Sequence, residues 1–281
     1  MEKDITRIDM RTNIKILILF ILLFNSCQIN EPTNNDGVEG YRTTIYSLSD
    51  TELSVEINEY RKLNDSLICT SLNEFGYPEY DLAPCSNRPI LREELNKDES
   101  VLINLAKTAI IKNQKYTGVE NSDELSIRRT VDIIGCIKCD GSNEELKTIK
   151  WRIDYNNQVS MGYEVFDTEI IVFLDNNGVF MLGGNWYSDI VVPSNNLYTL
   201  QQVKETLVGL KRTIYCWTNY EIEITSNNLP NEARKVIIPY KNGDKIELRL
   251  TWEIIISDYE YVFYIDVVNG EIIKEMQLVI C

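Results

Sequence analysis

The side chains able to do chemistry in this chain are unevenly supplied. Of its 281 residues none is histidine, seven are cysteine and 43 are aspartate or glutamate. Without an imidazole, Ser-His-Asp and Cys-His nucleophile systems, HExxH zinc proteases and most catalytic zinc sites are excluded, because each uses that ring as base or ligand. What remains is carboxylate, lysine and thiol chemistry. The carboxylates show no pair distinguished by spacing, so two-carboxylate glycoside hydrolysis has no residues to point to, and solvated surface positions account for them. No catalytic residue, metal-ligand set or cofactor-binding motif is read, and a non-enzymatic protein is expected.

The sulfur atoms carry more information. Cys136-Ile137-Lys138-Cys139 has the CxxC spacing of a redox pair. A thioredoxin-like site sets that motif between a strand and a helix, whereas here it follows a strand-like run with no helix after it, so the redox reading is disfavoured. Apart from Cys27 the cysteines are Cys69, Cys85, Cys136, Cys139, Cys216 and Cys281, an even set that favours disulfides in an oxidising compartment. Sequence leaves 15 connectivities open for six cysteines. Pairing of Cys69 with Cys85 closes a local loop, and Cys216 with Cys281 joins two late strands. Cys136 bridges Cys139 only if the chain turns there, since bridged Cα atoms lie within about 7 Å.

The remaining cysteine belongs to the leader. Lys3, Arg7, Arg11 and Lys15 precede the apolar run Ile16 to Phe24, and the small polar residues Asn25 and Ser26 precede Cys27. That is the layout of a signal peptide. The run is well short of the roughly 20 apolar residues a spanning helix needs. Leu23-Phe24-Asn25-Ser26-Cys27 resembles a relaxed bacterial lipobox, with Phe24 and Asn25 departing from the strictest pattern. The resemblance implies cleavage before Cys27 and acylation of its sulfur by palmitate-type chains, each buried methylene contributing about 0.8 kcal/mol to anchoring. Ordinary secretion, with Cys27 incidental, is the alternative. The expected location is the bacterial envelope, lipid-anchored at the outer membrane on its periplasmic or surface face, with the membrane as first partner. The formal charge is −15, and about −16 without the leader. No basic cluster is present to bind a phosphate backbone, so nucleic acid is not an expected partner.

Residues 27–43 read as a flexible tether and 44–97 as an irregular N-terminal segment, with helical character from Thr51 to Leu63. Asp98 is a candidate N-cap for a helix through Ile111, in which Val101, Leu102, Leu105, Ala106, Ala109 and Ile110 recur at helical spacing. Strands are expected over Leu125–Ile137, Thr148–Tyr155, Tyr163–Leu174 and Val179–Tyr187, with Asn176-Asn177-Gly178 as a hairpin turn. Thr199 and Gln202 form a capping box for a second helix with Leu200, Val203, Leu207 and Leu210 on its apolar side. A further strand series follows: Thr213–Ile224, Arg234–Tyr240, Lys245–Ile256, Tyr259–Val267 and Glu271–Ile280, with Asn242-Gly243 and Asn269-Gly270 as tight turns. Helix, strands, helix, strands predicts an α+β fold of two small units, 98–197 and 198–281, each a helix packed on an antiparallel sheet.

The last unit carries a resemblance. Leu248-Arg249-Leu250-Thr251-Trp252-Glu253-Ile254-Ile255-Ile256, then Tyr261-Val262-Phe263-Tyr264-Ile265-Asp266-Val267-Val268-Asn269-Gly270-Glu271-Ile272-Ile273, resembles the PepSY signature. Thr168 to Gly178 with Gly183-Gly184-Asn185-Trp186-Tyr187 looks like the hairpin that precedes PepSY in propeptides of thermolysin-like metalloproteases, here called an FTP-like unit. In those propeptides the two units assist folding of the protease and inhibit it. With no catalytic segment read before Cys281, the resemblance implies a protein-interaction module acting in trans on an envelope or secreted protease. Trp252 and Tyr264 alternate with polar residues as half-buried strands do, so they are expected in the core, and Asp266 and Glu271 are expected to bond backbone or solvent beside their turn. The alternative is a surface glycan or peptide binder. Trp151, Trp186, Trp217 and Trp252 with the tyrosines would form its stacking platform, with Trp186 and Tyr187 as candidate binding residues, against core burial as the default.

Overall fold

Alternation of apolar and polar residues with period two makes thirteen strands among the described residues, and two apolar stripes at helical spacing pack on the sheets those strands form. The structure is a computed structural model, and it describes residues 41–65, 67–80, 93–139, 145–195, 197–215 and 219–278. All of these fall within one compact unit, Val38–Cys281. The leader, Cys27, Cys85, Cys216, Trp217 and Cys281 lie outside the described residues, and so do the expectations that rest on them.

The fold is α+β. Strand β1 (Thr43–Tyr46) is followed by α1 (Asp50–Leu63), α2 (Glu99–Lys112) and the single turn α3 (Gln114–Thr117). Then come β2 (Ile127–Lys138), β3 (Glu145–Tyr155), β4 (Val159–Ser160), β5 (Tyr163–Glu164), β6 (Ile171–Asp175) and β7 (Gly178–Gly183). Helix α4 (Leu200–Leu207) leads into β8 (Lys211–Ile214), β9 (Tyr220–Glu223), β10 (Arg234–Asn242), β11 (Lys245–Ile256), β12 (Tyr261–Asp266) and β13 (Ile272–Gln277).

The first sheet has the order β2-β3-β6-β7, all antiparallel. Leu102, Ala106 and Ile110, one helical face of α2, are buried against Ile153, Val172, Leu174 and Leu182 of that sheet. Full burial of each Leu or Ile in this set contributes about 1.5–3 kcal/mol. Asp98 occupies the N-cap of α2 without a side-chain capping bond, whereas Thr199 and Gln202 make the full capping box of α4. Ser49 and Glu52 make another at α1.

The second sheet runs β1-β11-β12-β13, with β10 on the opposite side of β11. Period two divides β11 by face. Ile254 and Ile256 join α4 and the β8–β9 hairpin in one core, and Ile246, Leu248 and Leu250 join Tyr41, Val165, Tyr187 and Ile237 in another. Glu247, Arg249, Thr251 and Glu253 point to the other face, yet all are buried.

Although residues 44–97 were read from the sequence as irregular apart from helical character at Thr51–Leu63, β1 and α1 from this part of the chain contact both sheets. Strand β1 pairs with the start of β11 in the second sheet, while Leu53, Ile57 and Tyr60 of α1 pack on the core of the first. The expected strand Tyr163–Leu174 is divided. Asp167 takes φ 57°, Thr168 is buried with its amide donating to the Asn157 side chain, and the segment between β5 and β6 crosses to the second sheet through the Val165–Ile237 bridge. Thr213–Ile224 is likewise a hairpin, β8 with β9, rather than one strand.

Candidate interaction cleft

Where the start of β2, the β3–β4 turn and β5 converge, the surface opens into a cleft of about 770 Å³ lined by Glu124, Ser126, Arg128, Asn156, Asn157, Val159, Glu164, Phe166 and Trp186. Its polar rim is held by short-range bonds. The Asn156 side chain donates to the Ser126 hydroxyl (2.8 Å), and the Asn157 amide donates to Glu164 (2.9 Å). Arg128 is the extra residue of a bulge between Ile127 and Arg129, and it pairs with Glu169. A bulge turns a side chain out of the pleat, which explains why this arginine faces the cleft and not the sheet neighbour. Phe166 stacks edge-on to Tyr264 at 5.5 Å and lies under the Arg234 guanidinium, which also pairs with Glu164 at 2.8 Å.

Trp186 is fixed from behind. Its amide donates to the carbonyl of Thr117, the last residue of α3 (2.7 Å), and Gly118 packs so closely that a Cβ there would lie 2.2 Å from the Trp186 carbonyl oxygen. Trp186 is 6% exposed, and its Nε1 is buried with no hydrogen-bond partner. A buried donor without a partner costs about 1–3 kcal/mol. Trp186 lines the cleft, while this nitrogen itself is turned away from solvent.

Beside the cleft lies the polar face of the second sheet. Arg249 reaches Glu247 (2.6 Å) and Glu271 (2.8 Å) and stacks on Tyr240, with the buried Asp266 at 3.8 Å. Arg42, next to β1, approaches the same Asp266 carboxylate at 3.5 Å. Burial pushes the Asp266 carboxyl above its ordinary value, against the Val268 amide, Arg42 and Arg249, which pull it down. Burial also works to raise Glu247, but hydrogen bonds from Lys245 and Arg249 outweigh it and leave that carboxyl below the usual range. Arg234 pairs with Glu253, its direct register partner across β10 and β11, and Tyr264 donates to the same carboxylate at 3.2 Å. Each buried charge here has an opposite charge at hand, as burial requires.

The sequence-predicted residues fall in different places. Tyr187 is 7% exposed and packs in the core between the sheets, with burial and loss of hydration pushing its hydroxyl up to about 12. Trp151 is buried under α2, and Trp252 donates its indole N–H to the Tyr198 carbonyl (2.9 Å). A stacking platform needs open ring faces, and among the described residues Trp186 and Tyr187 do not offer them. That correction removes the aromatic-platform geometry from the glycan alternative, while Trp186 keeps a place at the cleft. Trp252 and Tyr264 pack in the sheet as their spacing predicts, Tyr264 buried and Trp252 partly so. Asp266 accepts from the Val268 amide (2.8 Å), which matches its expected turn role, but it also faces two arginines. Arg42, Arg234 and Arg249 were not singled out from the sequence, although the alternation Glu247, Arg249, Thr251, Glu253 along β11 marks a polar face.

Cys136 and Cys139 are bridged, with Cα atoms 5.8 Å apart. Three steps of extended strand span about 10 Å. The register shift between Cys136 and Lys138 supplies the turn that closes the gap. A loop of so few residues stores little unfolded-chain entropy, about 2 kcal/mol by the loop-length relation. Cys69 is disulfide-bonded, and its expected partner Cys85 lies outside the described residues. Among the described residues no group of three or more Cys, Asp or Glu side chains is arranged to hold a metal ion, and no helix is long and apolar enough to cross a membrane.

No family model matches the chain, and no curated protein does. Among solved structures it is similar to the Bacillus megaterium YpeB C-terminal domain. The likeness covers 83% of this chain and 99% of that one at 12% identity, with a TM-score of 0.30. Agreement at that level fixes neither family nor function.

Proposed function

We propose that this protein is a non-enzymatic, membrane-tethered interaction module of the bacterial envelope, anchored through Cys27, that takes an extended segment of a partner polypeptide into the cleft beside Trp186. The observation that carries the reading is the cleft itself. It is of ordinary ligand-site volume and is lined by both donors and acceptors, Glu124, Ser126, Arg128, Asn156, Asn157 and Glu164, beside the apolar Val159, Phe166 and Trp186. Asn156, Ser126, Arg128 and Glu124 suit the carbonyls, amides and polar side chains of an extended peptide. The PepSY-like sequence of β11 to β13 supports a protease as the partner, modulated in trans.

A photo-crosslinking residue at Val159, on the cleft rim, tests the docking site in the full lipoprotein, with one at Val55 on the exposed side of α1 as control. The expected result is a polypeptide adduct from position 159 alone. Equal yields from both positions, or none from 159, would refute the cleft as the docking site. The protease reading is tested by adding the purified protein to the secreted and envelope proteases of its host. Inhibition that weakens in Arg128→Ala, on the cleft lining, is the expected outcome, and undiminished proteolysis throughout rejects it.

A further inference from the structure

We propose that the Cys136–Cys139 disulfide is a thiol–disulfide exchange site whose reaction partner is a protein dithiol. The bridge joins residues three apart, so it staples no distant parts of the fold together. It sits at the far end of the β2–β3 hairpin, where Cys139 is exposed and Cys136 partly so. Attack on a disulfide needs access to a sulfur in line with the bond, and an exposed tip gives it.

The surroundings suit a docked protein more than a small thiol. Leu146 lies directly across from Cys136 in the ladder, and Ile134 is two residues before it, so all three project from one face of the hairpin. Leu146 is 58% and Ile134 57% exposed. In a chain this acidic, two open aliphatic side chains on the same face as the bridge form a small apolar contact for a partner that carries its own cysteine pair. Lys138, inside the four-residue ring, is held by Glu145 at 3.2 Å and leaves that face uncovered. The ladder from Ile127 to Ile134 pairs with β3 at positions away from the bridge, so exchange at the tip does not require those pairs to break.

The step balances without any further reagent. A partner thiolate attacks Cys139 Sγ, the Cys136–Cys139 bond breaks, and Cys136 leaves as a thiolate that takes a proton. The partner's second thiolate then attacks its own sulfur in the mixed disulfide and releases Cys139 as a thiol. Two electrons and two protons pass to this pair, and the partner is left oxidised. The reverse reaction, with an oxidised partner, restores the bridge.

The test uses the full lipoprotein in detergent. It is equilibrated with a series of reduced and oxidised glutathione, its thiols are trapped with a maleimide, and the peptides are mapped by mass spectrometry. Cys136 and Cys139 are expected to be labelled at a reduced-to-oxidised ratio at least about tenfold lower than the one that labels Cys69, which serves as the internal bridged reference. Reduced thioredoxin is then supplied as the protein dithiol. It is expected to open the pair faster than dithiothreitol at equal thiol concentration, and Leu146→Glu is expected to remove that advantage. Reduction only together with Cys69, or only after denaturation, overturns the proposal, and so does a thioredoxin rate no greater than that of dithiothreitol.

Discussion

Gly118→Ala is the substitution that most directly joins the fold to the cleft. Gly118 closes α3 at φ 67°, in the left-handed region, where an alanine costs about 1–2 kcal/mol more than glycine. Its new Cβ would stand 2.2 Å from the Trp186 carbonyl oxygen, and ordinary contact requires the two chains to part by about 1 Å. That movement strains the bond from the Trp186 amide to the Thr117 carbonyl, now 2.7 Å, and a buried amide that loses its partner costs about 1–3 kcal/mol. The sum is about 2–5 kcal/mol, which for a body of this size corresponds to a fall of roughly 4–20 °C in melting temperature. Urea unfolding at constant m is the assay, with tryptophan emission reporting whether the indole moves toward water. Gly118→Asn separates the two contributions, because asparagine tolerates the left-handed backbone but still carries the colliding Cβ. It is expected to recover only the backbone share of the loss. A cost below about 1 kcal/mol for alanine, or an asparagine variant as stable as the parent, would refute the argument that close packing at Gly118 positions Trp186.

Three further outcomes follow from buried polar groups. Asn64 and Asn113 cap α1 and α2 and exchange amide bonds of 2.8 and 3.0 Å while buried, so Asn113→Ala should cost about 2–4 kcal/mol, and the double alanine variant should cost less than the sum of the singles in chemical unfolding. Asp266, buried with a raised carboxyl, binds its proton more tightly folded than unfolded, so its contribution to stability is present in acid and lost as pH rises through the folded value. The stability of the parent relative to Asp266→Asn should therefore decline from about pH 4 upward, and a gap that widened with pH would contradict this sign. Tyr155, whose hydroxyl is buried without a partner and pushed up to about 12 by burial, should gain up to about 1 kcal/mol of stability as Tyr155→Phe; a clear loss by calorimetry would reveal a bond to that hydroxyl.

Local signals in the sequence were legible where one force decided the outcome. The capping box at Thr199, the Asn-Gly turns at 242–243 and 269–270, and the Leu102, Ala106, Ile110 stripe each act within a few residues, and each stands in the structure where it was read. Residues 44–97 were less legible because their order depends on distant partners. Thr43–Tyr46 consists of strand-forming residue types but is only four residues long, and it becomes a strand by pairing with Lys245–Leu248. The cleft was hidden for the same reason. Its rim draws on residues near 125, 157 and 186, and only the Arg128 bulge, the divided β5–β6 segment and the α3 turn bring them together. Trp186 was read as a candidate binding residue with core burial as the default, and it is buried, with its indole N–H left without a partner.

The ionic face of the second sheet explains why residues just beyond the expected tether are so firmly seated. Tyr41 is fully buried, its hydroxyl accepts from the Leu250 amide at 3.1 Å, and the next residue, Arg42, meets Asp266. An isolated carboxylate in that position would be costly, and removing one partner from a buried pair leaves the other uncompensated. Arg42 and Arg249 therefore share the neutralisation of Asp266, so the entry strand β1 completes a charge balance that β11 and β12 do not complete alone. Helix α1, which starts four residues after β1, is packed on the other sheet. A displacement of β1 would thus disturb the core between the sheets and the polar face together, and both border the segment Val165 to Thr168 that supplies Phe166 to the cleft. Packed or paired residues thus run from Tyr41 to the surface proposed to take a partner.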